Sequence, residues 1–208
     1  EYDGTTWASP ATTGHQGGSQ GAAGTQTAGL MVGGYWSPAS RDPVYINGET
    51  ETYDGSTWTE VADLNTKRQG LKGTGTTTAA IMGGGATTTG PVTAVAGVNN
   101  TETWDGTSWA ETNNLNTART SGASLGTTCP APTAVIAGGT STTNVYDLTE
   151  KWDGTSWTEL ADLNTARGKP GGAGSDGTSG IVFGGEGPGA KDETEVWDGT
   201  SWAEAGDL

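Results

Sequence analysis

Histidine and cysteine are almost absent from this sequence of 208 residues, since His15 and Cys129 are the only examples of each. One cysteine can form neither an internal disulfide nor a thiolate metal cluster. Without a second histidine, the side chains for a copper or zinc site are also missing. We therefore expect no metal and no cofactor, with His15 in a surface loop and Cys129 as a small, partly buried side chain.

Positive charge is scarce as well: nine Lys and Arg stand against 24 Asp and Glu, and the net charge is −15. An acidic surface repels phosphate backbones and anionic lipid, so we expect no nucleic-acid partner and an extracellular setting where salt screens the charge. The chain has no run of 18 apolar residues and no charged-then-apolar start, which predicts neither a transmembrane helix nor a signal peptide. It opens at Glu1 within a repeat, so we expect a piece of a longer polypeptide.

Apolar residues make up only 31% of the chain and glycine numbers 37, a composition that approaches that of disordered proteins. Nine tryptophans argue against disorder, because each can bury about 150–250 Å² and anchor a small core. The sequence therefore predicts an ordered protein with a thin core.

The strongest feature is an internal repeat with three landmarks. The first is an aromatic-Asp-Gly-x-x-Trp element whose aspartates are Asp3, Asp54, Asp105, Asp153 and Asp198. The second is a glycine pair after a short apolar run, at Gly33-Gly34, Gly83-Gly84, Gly138-Gly139 and Gly184-Gly185. The third is Leu-Asn-Thr-x-Arg, which ends at Arg68, Arg119 and Arg167; in the first unit His15 stands where the others have Arg.

Each unit is predicted to form two β-hairpins. Asp-Gly flanked by strand-forming residues is a turn signal, and it places the two aromatic residues of each element opposite each other. Small residues between the Arg and the glycine pair favour inner strands that approach one another closely. Gly, Thr and Asn recur too often for a helix. The tryptophans assigned to this framework are Trp7, Trp58, Trp104, Trp109, Trp152, Trp157, Trp197 and Trp202.

These landmarks resemble the kelch repeat: an Arg before the first strand, a glycine pair after the second, an aromatic-Asp near the third and a Trp opening the fourth. The five-residue interval from aromatic to Trp is shorter than in kelch. The resemblance implies one all-β domain, a kelch-like β-propeller with four complete four-stranded repeats, which either closes alone or belongs to a larger ring. The predicted units are residues 8–58, 59–109, 110–157 and 158–202, with an extra half repeat in 1–7.

The near-identical units are similar to kelch-like repeat proteins of marine bacteriophages. That resemblance implies a structural or adhesive module on the virion surface, in a tail or capsid appendage, which binds other virion proteins or a host surface glycan and forms homo-oligomers. A secreted or surface-anchored bacterial adhesin that binds carbohydrate and a carbohydrate-active enzyme of the oxidase or sialidase kind are the alternatives. We expect no enzyme, because His15 in a glycine-rich segment would hold a catalytic base poorly.

Candidate binding residues lie where the repeat is broken. An insertion at residues 35–45 contains Tyr35, Trp36, Arg41 and Tyr45, residue types that dominate recognition sites. The same insertion could instead pack against a neighbouring subunit. The repeated aspartates are expected to close turns, and the repeated arginines either to stack on Trp and pair with carboxylates or to form a cationic ring for a glycan.

Overall fold

The computed structural model describes residues 5–6, 12–14, 17–36, 45–88, 96–126, 134–175 and 177–208, and within them every regular element is a strand. In chain order the strands are β1 (Gly21–Thr25), β2 (Ala28–Trp36), β3 (Tyr45–Tyr53), β4 (Trp58–Val61), β5 (Lys72–Gly75), β6 (Ala80–Gly83), β7 (Thr101–Trp104), β8 (Trp109–Glu111), β9 (Ala123–Leu125), β10 (Val135–Thr140), β11 (Val145–Trp152), β12 (Trp157–Glu159), β13 (Gly171–Gly174), β14 (Gly180–Phe183), β15 (Glu186–Gly187), β16 (Gly189–Ala190), β17 (Thr194–Trp197) and β18 (Trp202–Glu204).

These strands form four antiparallel sheets of four strands each, which we number 1 to 4 in chain order. Sheets 1 to 3 run β1-β2-β3-β4, β5-β6-β7-β8 and β9-β10-β11-β12. Sheet 4 runs β13-β14-β17-β18, with the small β15-β16 hairpin inserted before its third strand. The predicted all-β fold with four four-stranded units is confirmed. The extra half repeat falls on residues 1–7, which lie outside the described residues apart from positions 5 and 6.

Each aromatic-Asp-Gly element forms a tight outer hairpin. In sheet 2, Trp104 pairs with Trp109, and the Oδ1 atom of Asp105 accepts hydrogen bonds from the backbone N–H groups of Thr107 and Ser108, both at 2.8 Å. The equivalent ring pairs have centroids 5.0 to 5.6 Å apart, at Tyr53–Trp58, Trp104–Trp109, Trp152–Trp157 and Trp197–Trp202. The predicted cross-strand pairing is therefore confirmed for these four; the Tyr2–Trp7 pair lies outside the described residues.

The predicted unit boundaries at residues 58, 109, 157 and 202 coincide with the first residue of each fourth strand. That strand pairs with the third strand of the same sheet, so each sheet extends two or three residues further along the chain.

The glycine pairs allow neighbouring sheets to approach closely. In sheet 2 the residues with positive φ are Gly84 (67°) and Gly85 (104°), one position later than the predicted pair, because Gly83 still belongs to β6. A Cβ atom on Gly84 would lie 2.5 Å from the carbonyl oxygen of Arg119, in the lead-in to sheet 3. The N–H of Gly85 donates to that same oxygen at 2.9 Å. Glycine is thus needed for both conformation and contact.

The four sheets are arranged as blades around a common axis. Next to the first strands, a chain of backbone hydrogen bonds passes from blade to blade. The N–H of Gly70 donates to the Ser19 carbonyl, that of Ser121 to the Gly70 carbonyl and that of Lys169 to the Ser121 carbonyl, at 2.7 to 2.8 Å. The four residues have φ values between 48° and 64°. Their shared backbone conformation shows that the chain passes the axis in the same way at the start of each blade.

The core lies between consecutive blades. One cluster combines Leu30 and Val32 of sheet 1 with Met82 and Trp109 of sheet 2. A second packs the β9 and β10 side chains of sheet 3 against Trp197 and Trp202 of sheet 4. Since no sheet can bury its apolar face alone, the array is stabilised chiefly by these junctions.

Candidate functional site

The repeated arginines are buried inside the blades. Arg68 and Glu102 are both 0% exposed at the side chain, and the guanidinium Nη2 donates to Glu102 Oε1 at 2.9 Å. Burial lowers the pKa of Arg68, and the neighbouring Glu102 carboxylate offsets part of that effect. The same pair recurs as Arg119–Glu150 and, at 2.6 Å, as Arg167–Glu195. Each arginine therefore pairs with a glutamate of its own blade and is not presented to a ligand.

An asparagine completes each buried pair, and sequence reasoning missed it. Asn65 donates from its backbone N–H and its side-chain amide to Glu102 Oε2, at 2.8 and 2.9 Å, and also reaches the Trp109 carbonyl at 2.8 Å. The available signal was the co-occurrence of Asn in Leu-Asn-Thr-x-Arg and Glu two residues before each hairpin aromatic. These groups fix the loop between consecutive blades against the following sheet.

Blade 1 breaks this pattern. Glu51 occupies the position of Glu102 and is 6% exposed. Its Oε1 accepts from Gly14 N–H at 2.8 Å, while its Oε2 is buried and has no hydrogen-bond partner. His15, which aligns with the arginines, lies outside the described residues. Blade 1 thus carries a buried carboxylate without the arginine that its counterparts have.

The repeated aspartates act within their own turns. Bonds from the backbone N–H groups of Ser108 and then Thr107 lower the pKa of the Asp105 carboxyl, and Asp54, Asp153 and Asp198 show the same shift from equivalent bonds. Within the described part of the chain, no three His, Cys, Asp or Glu side chains come together as metal ligands. Asp3 lies outside it.

One sequence pattern that points to catalysis was overlooked. Gly-x-Ser-x-Gly, the turn that exposes the nucleophile of many serine hydrolases, occurs twice: as Gly17-Gly-Ser19-Gln-Gly21, and as Gly122-Ala-Ser124-Leu-Gly126, where Ser124 lies within β9. Ser19 has a φ of 57°, but here the turn leads into β1 and not into a helix. Ser121 and Lys169 share the conformation at equivalent axial positions. The turn is therefore a property of the repeat.

The predicted binding residues of the insertion do not all lie on one face of the sheet. Trp36 and Tyr45 are cross-strand partners whose rings stack with centroids 5.5 Å apart and planes at 27°. They are 37% and 50% exposed, among the most exposed large apolar side chains of the described residues. Tyr35 points to the opposite face of β2, where its ring covers Gly18. Arg41 lies outside the described residues.

A groove of about 360 Å³ adjoins the stacked rings. It is lined by Trp36, Asn47, Glu49 and Gly14. The Glu49 backbone N–H donates to Asn47 Oδ1 at 2.7 Å, which fixes the amide within the groove. An exposed aromatic face beside an amide and a carboxylate combines an apolar stacking surface with hydrogen-bonding groups.

A cavity of about 430 Å³ beside the outer hairpins of blades 2 and 3 is lined by Trp104, Trp152 and Asp105, but both rings are only 2% exposed. Two further cavities have no aromatic lining. The larger, about 590 Å³, lies between the loop of residues 140–145 in blade 3 and residues 185–190 in blade 4, and no aromatic ring lines it. A smaller one of about 160 Å³ lies at the axis and is lined by Lys72 and Lys169 together with Ser19 and Ser121. Burial lowers the pKa of Lys72, and Lys169 forms an ion pair with Glu186 at 2.8 Å.

Four four-stranded antiparallel sheets joined blade to blade around an axis define a four-bladed β-propeller. The solved structure of YjhT is similar to this fold, with a TM-score of 0.72 and 12% sequence identity over 91% of this chain and 70% of that chain. No family model matches the chain, and no curated protein matches it in sequence. The described residues include no helix long and apolar enough to cross a membrane.

Proposed function

We propose that this propeller is a non-enzymatic binding module of the virion surface, which attaches to a host glycan through the groove beside Trp36 and Tyr45. The observation that carries the proposal is the stacked, exposed pair of rings on blade 1. A pyranose ring presents a face of C–H groups that packs well on indole and phenol, while its hydroxyls require polar partners such as Asn47 and Glu49.

Among the described residues, an exposed stacked ring pair at this position is found in blade 1 alone, which favours recognition over a structural role for the rings. In blade 3 the positions that match Trp36 and Tyr45 are Ser141 and Asn144, neither of which is aromatic. An aromatic pair needed for folding would recur with the repeat, as the Trp104–Trp109 pair does.

Charge indicates the class of glycan. Glu49 lines the groove, and the chain carries a net charge of −15. A sulfated or sialylated sugar would be repelled, and the buried Arg68 and its counterparts cannot compensate. A neutral hexose or an amino sugar therefore fits the site best.

Binding to a panel of neutral, amino and acidic oligosaccharides tests the groove. We expect Trp36→Ala and Tyr45→Ala each to weaken binding of the preferred sugar at least tenfold, as loss of about 1.4 kcal/mol or more of stacking would. Val145→Ala, at another exposed apolar residue, is the matched control and should bind like the parent chain. If all three variants bound the sugar as tightly as the parent chain, the groove would be ruled out as the site.

The proposed non-enzymatic role and the proposed location are tested separately. A sugar recovered unchanged by mass spectrometry after long incubation with the protein would support a binding role, and any turnover would contradict it. Immunogold labelling of purified particles with an antibody to residues 35–45 is expected to mark a tail or capsid appendage. Label on bacterial surfaces alone would favour the adhesin.

A further inference from the structure

Three equivalent joints connect the four blades. At each joint, the indole N–H of a fourth-strand Trp donates to the hydroxyl of a buried Thr on the third strand of the preceding blade. The pairs are Trp109 to Thr50, Trp157 to Thr101 and Trp202 to Thr149, at 3.0 to 3.1 Å. All three threonines are 0% exposed.

The joint has a second component in the backbone. The second glycine of each pair donates its N–H to the arginine carbonyl that introduces the next blade, from Gly34 to Arg68, from Gly85 to Arg119 and from Gly139 to Arg167, at 2.8 to 2.9 Å. The leucine of the same lead-in packs over the first glycine; Leu163, for example, lies 3.5 Å from the position of a Cβ on Gly138.

Blade 4 carries the acceptor half of a further joint. Thr194 occupies the position of Thr50, Thr101 and Thr149, and it is 4% exposed. Its hydroxyl oxygen is buried and has no hydrogen-bond partner. Among the described residues, the N–H of Gly185 likewise has no arginine carbonyl to donate to. A buried hydroxyl left unpaired costs stability, and Thr194 differs in this from its three counterparts, each of which accepts from a Trp.

The lead-in to this joint is already in place. The N–H of Leu208 donates to the Asp192 carbonyl at 3.0 Å, as that of Leu163 donates to Asp147 at 2.9 Å. Its side chain lies 3.3 Å from the position of a Cβ on Gly184. Leu163, covered by the following blade, is 3% exposed, whereas Leu208 is 78% exposed.

We propose that the face of blade 4 that points away from blade 3, where Thr194, Gly185 and Leu208 lie, is a docking face for one more blade of the same repeat, continuing from Leu208. The incoming fourth-strand Trp donates its indole N–H to Thr194, and the incoming arginine carbonyl accepts from Gly185. A second copy of the chain fits less well, because Leu208 already holds the lead-in position and the first blade's own lead-in, residues 10–15, contains no leucine.

The test appends a second copy of residues 164–208 directly after Leu208 and compares this extended chain with the 208-residue chain. Thr194→Val preserves side-chain shape and removes the hydroxyl. In the 208-residue chain we expect no loss of stability, because the hydroxyl has no partner to lose. In the extended chain the same change should lower the folding equilibrium constant about fivefold, as loss of one hydrogen bond does.

Thr149→Val is the matched control, since its hydroxyl already accepts from Trp202; it should lower the equilibrium constant by about the same factor in both chains. Hydrogen exchange gives a local readout: the Gly185 amide should become protected only on extension, whereas the Gly139 amide is protected in both. Equal effects of Thr194→Val in the two chains, or an unprotected Gly185 in the extended chain, would overturn the proposal. So would self-association of the 208-residue chain that Thr194→Val abolishes, since the occupant would then be a second copy.

Discussion

Replacing Glu102 with Gln should destabilise the protein far more than the same change at Glu51. Glu102 is fully buried and accepts from Arg68 at 2.9 Å and from Asn65 at 2.8 and 2.9 Å. Glutamine preserves the shape but leaves the Arg68 guanidinium buried without its counter-charge. Breaking a buried pair in this way costs about 3–5 kcal/mol.

The change Glu51→Gln is the internal control. Its carboxylate has one hydrogen bond, from Gly14, and a second oxygen that is buried without a partner. Removing a buried charge that faces no cation among the described residues leaves no unpaired arginine behind. We expect the free energy of unfolding to change by less than about 1 kcal/mol, or to rise.

Urea unfolding followed by tryptophan fluorescence and circular dichroism measures both variants. Since repeat arrays can unfold in steps, amide exchange in β5 and β7 should report the local loss around Arg68. Adding Arg68→Met to Glu102→Gln should recover part of the loss, because the unpaired charge is then gone. Similar losses for Glu102→Gln and Glu51→Gln would show that the ion pair does not govern the stability of its blade.

Three further changes are informative. Trp157→Phe removes an inter-blade hydrogen bond and also part of a buried ring that packs against Gly83, so denaturant unfolding should show a loss of about 2–3 kcal/mol. Gly84→Ala places a Cβ at positive φ and 2.5 Å from the Arg119 carbonyl oxygen, so the free energy of unfolding should fall by about 2–4 kcal/mol. The control Gly206→Ala, where the space is open, should lower it by less than about 0.5 kcal/mol. The described turn aspartates have folded pKa values below the unfolded value of about 3.9. Their contribution to the free energy of unfolding is therefore present above that pH and is lost as the pH falls below about 4. Unfolding measured across an acid titration should show this decline, and a decline confined to higher pH would contradict it.

Local chemistry explains which features could be predicted from the sequence. Asp105 and Gly106 close a turn through bonds only two and three residues apart, so the hairpin and the Trp104–Trp109 pairing follow from a short segment. The glycine pair was misplaced by one residue in blade 2, since three consecutive glycines leave the register open until Gly84 meets the next blade.

The candidate site could be predicted only in part. The insertion's aromatic content pointed to blade 1, but which rings share a face depends on strand pairing. Trp36 and Tyr45 lie opposite each other in the register of β2 and β3, and Tyr35 falls on the other face because successive side chains alternate. The groove residues Asn47 and Glu49 carry no sequence signal of their own.

The sequence by itself determined the strand-turn-strand units, their number and their order, because turn geometry and aromatic pairing act over a few residues. Only the tertiary structure decided what the repeated polar residues do. Trp109 bonds to Thr50, 59 positions away, and Asn65 bonds to Glu102, 37 positions away. Such pairings arise from blade-on-blade packing, which buries Arg68 as a structural cation and leaves Thr194 without the partner that its counterparts have.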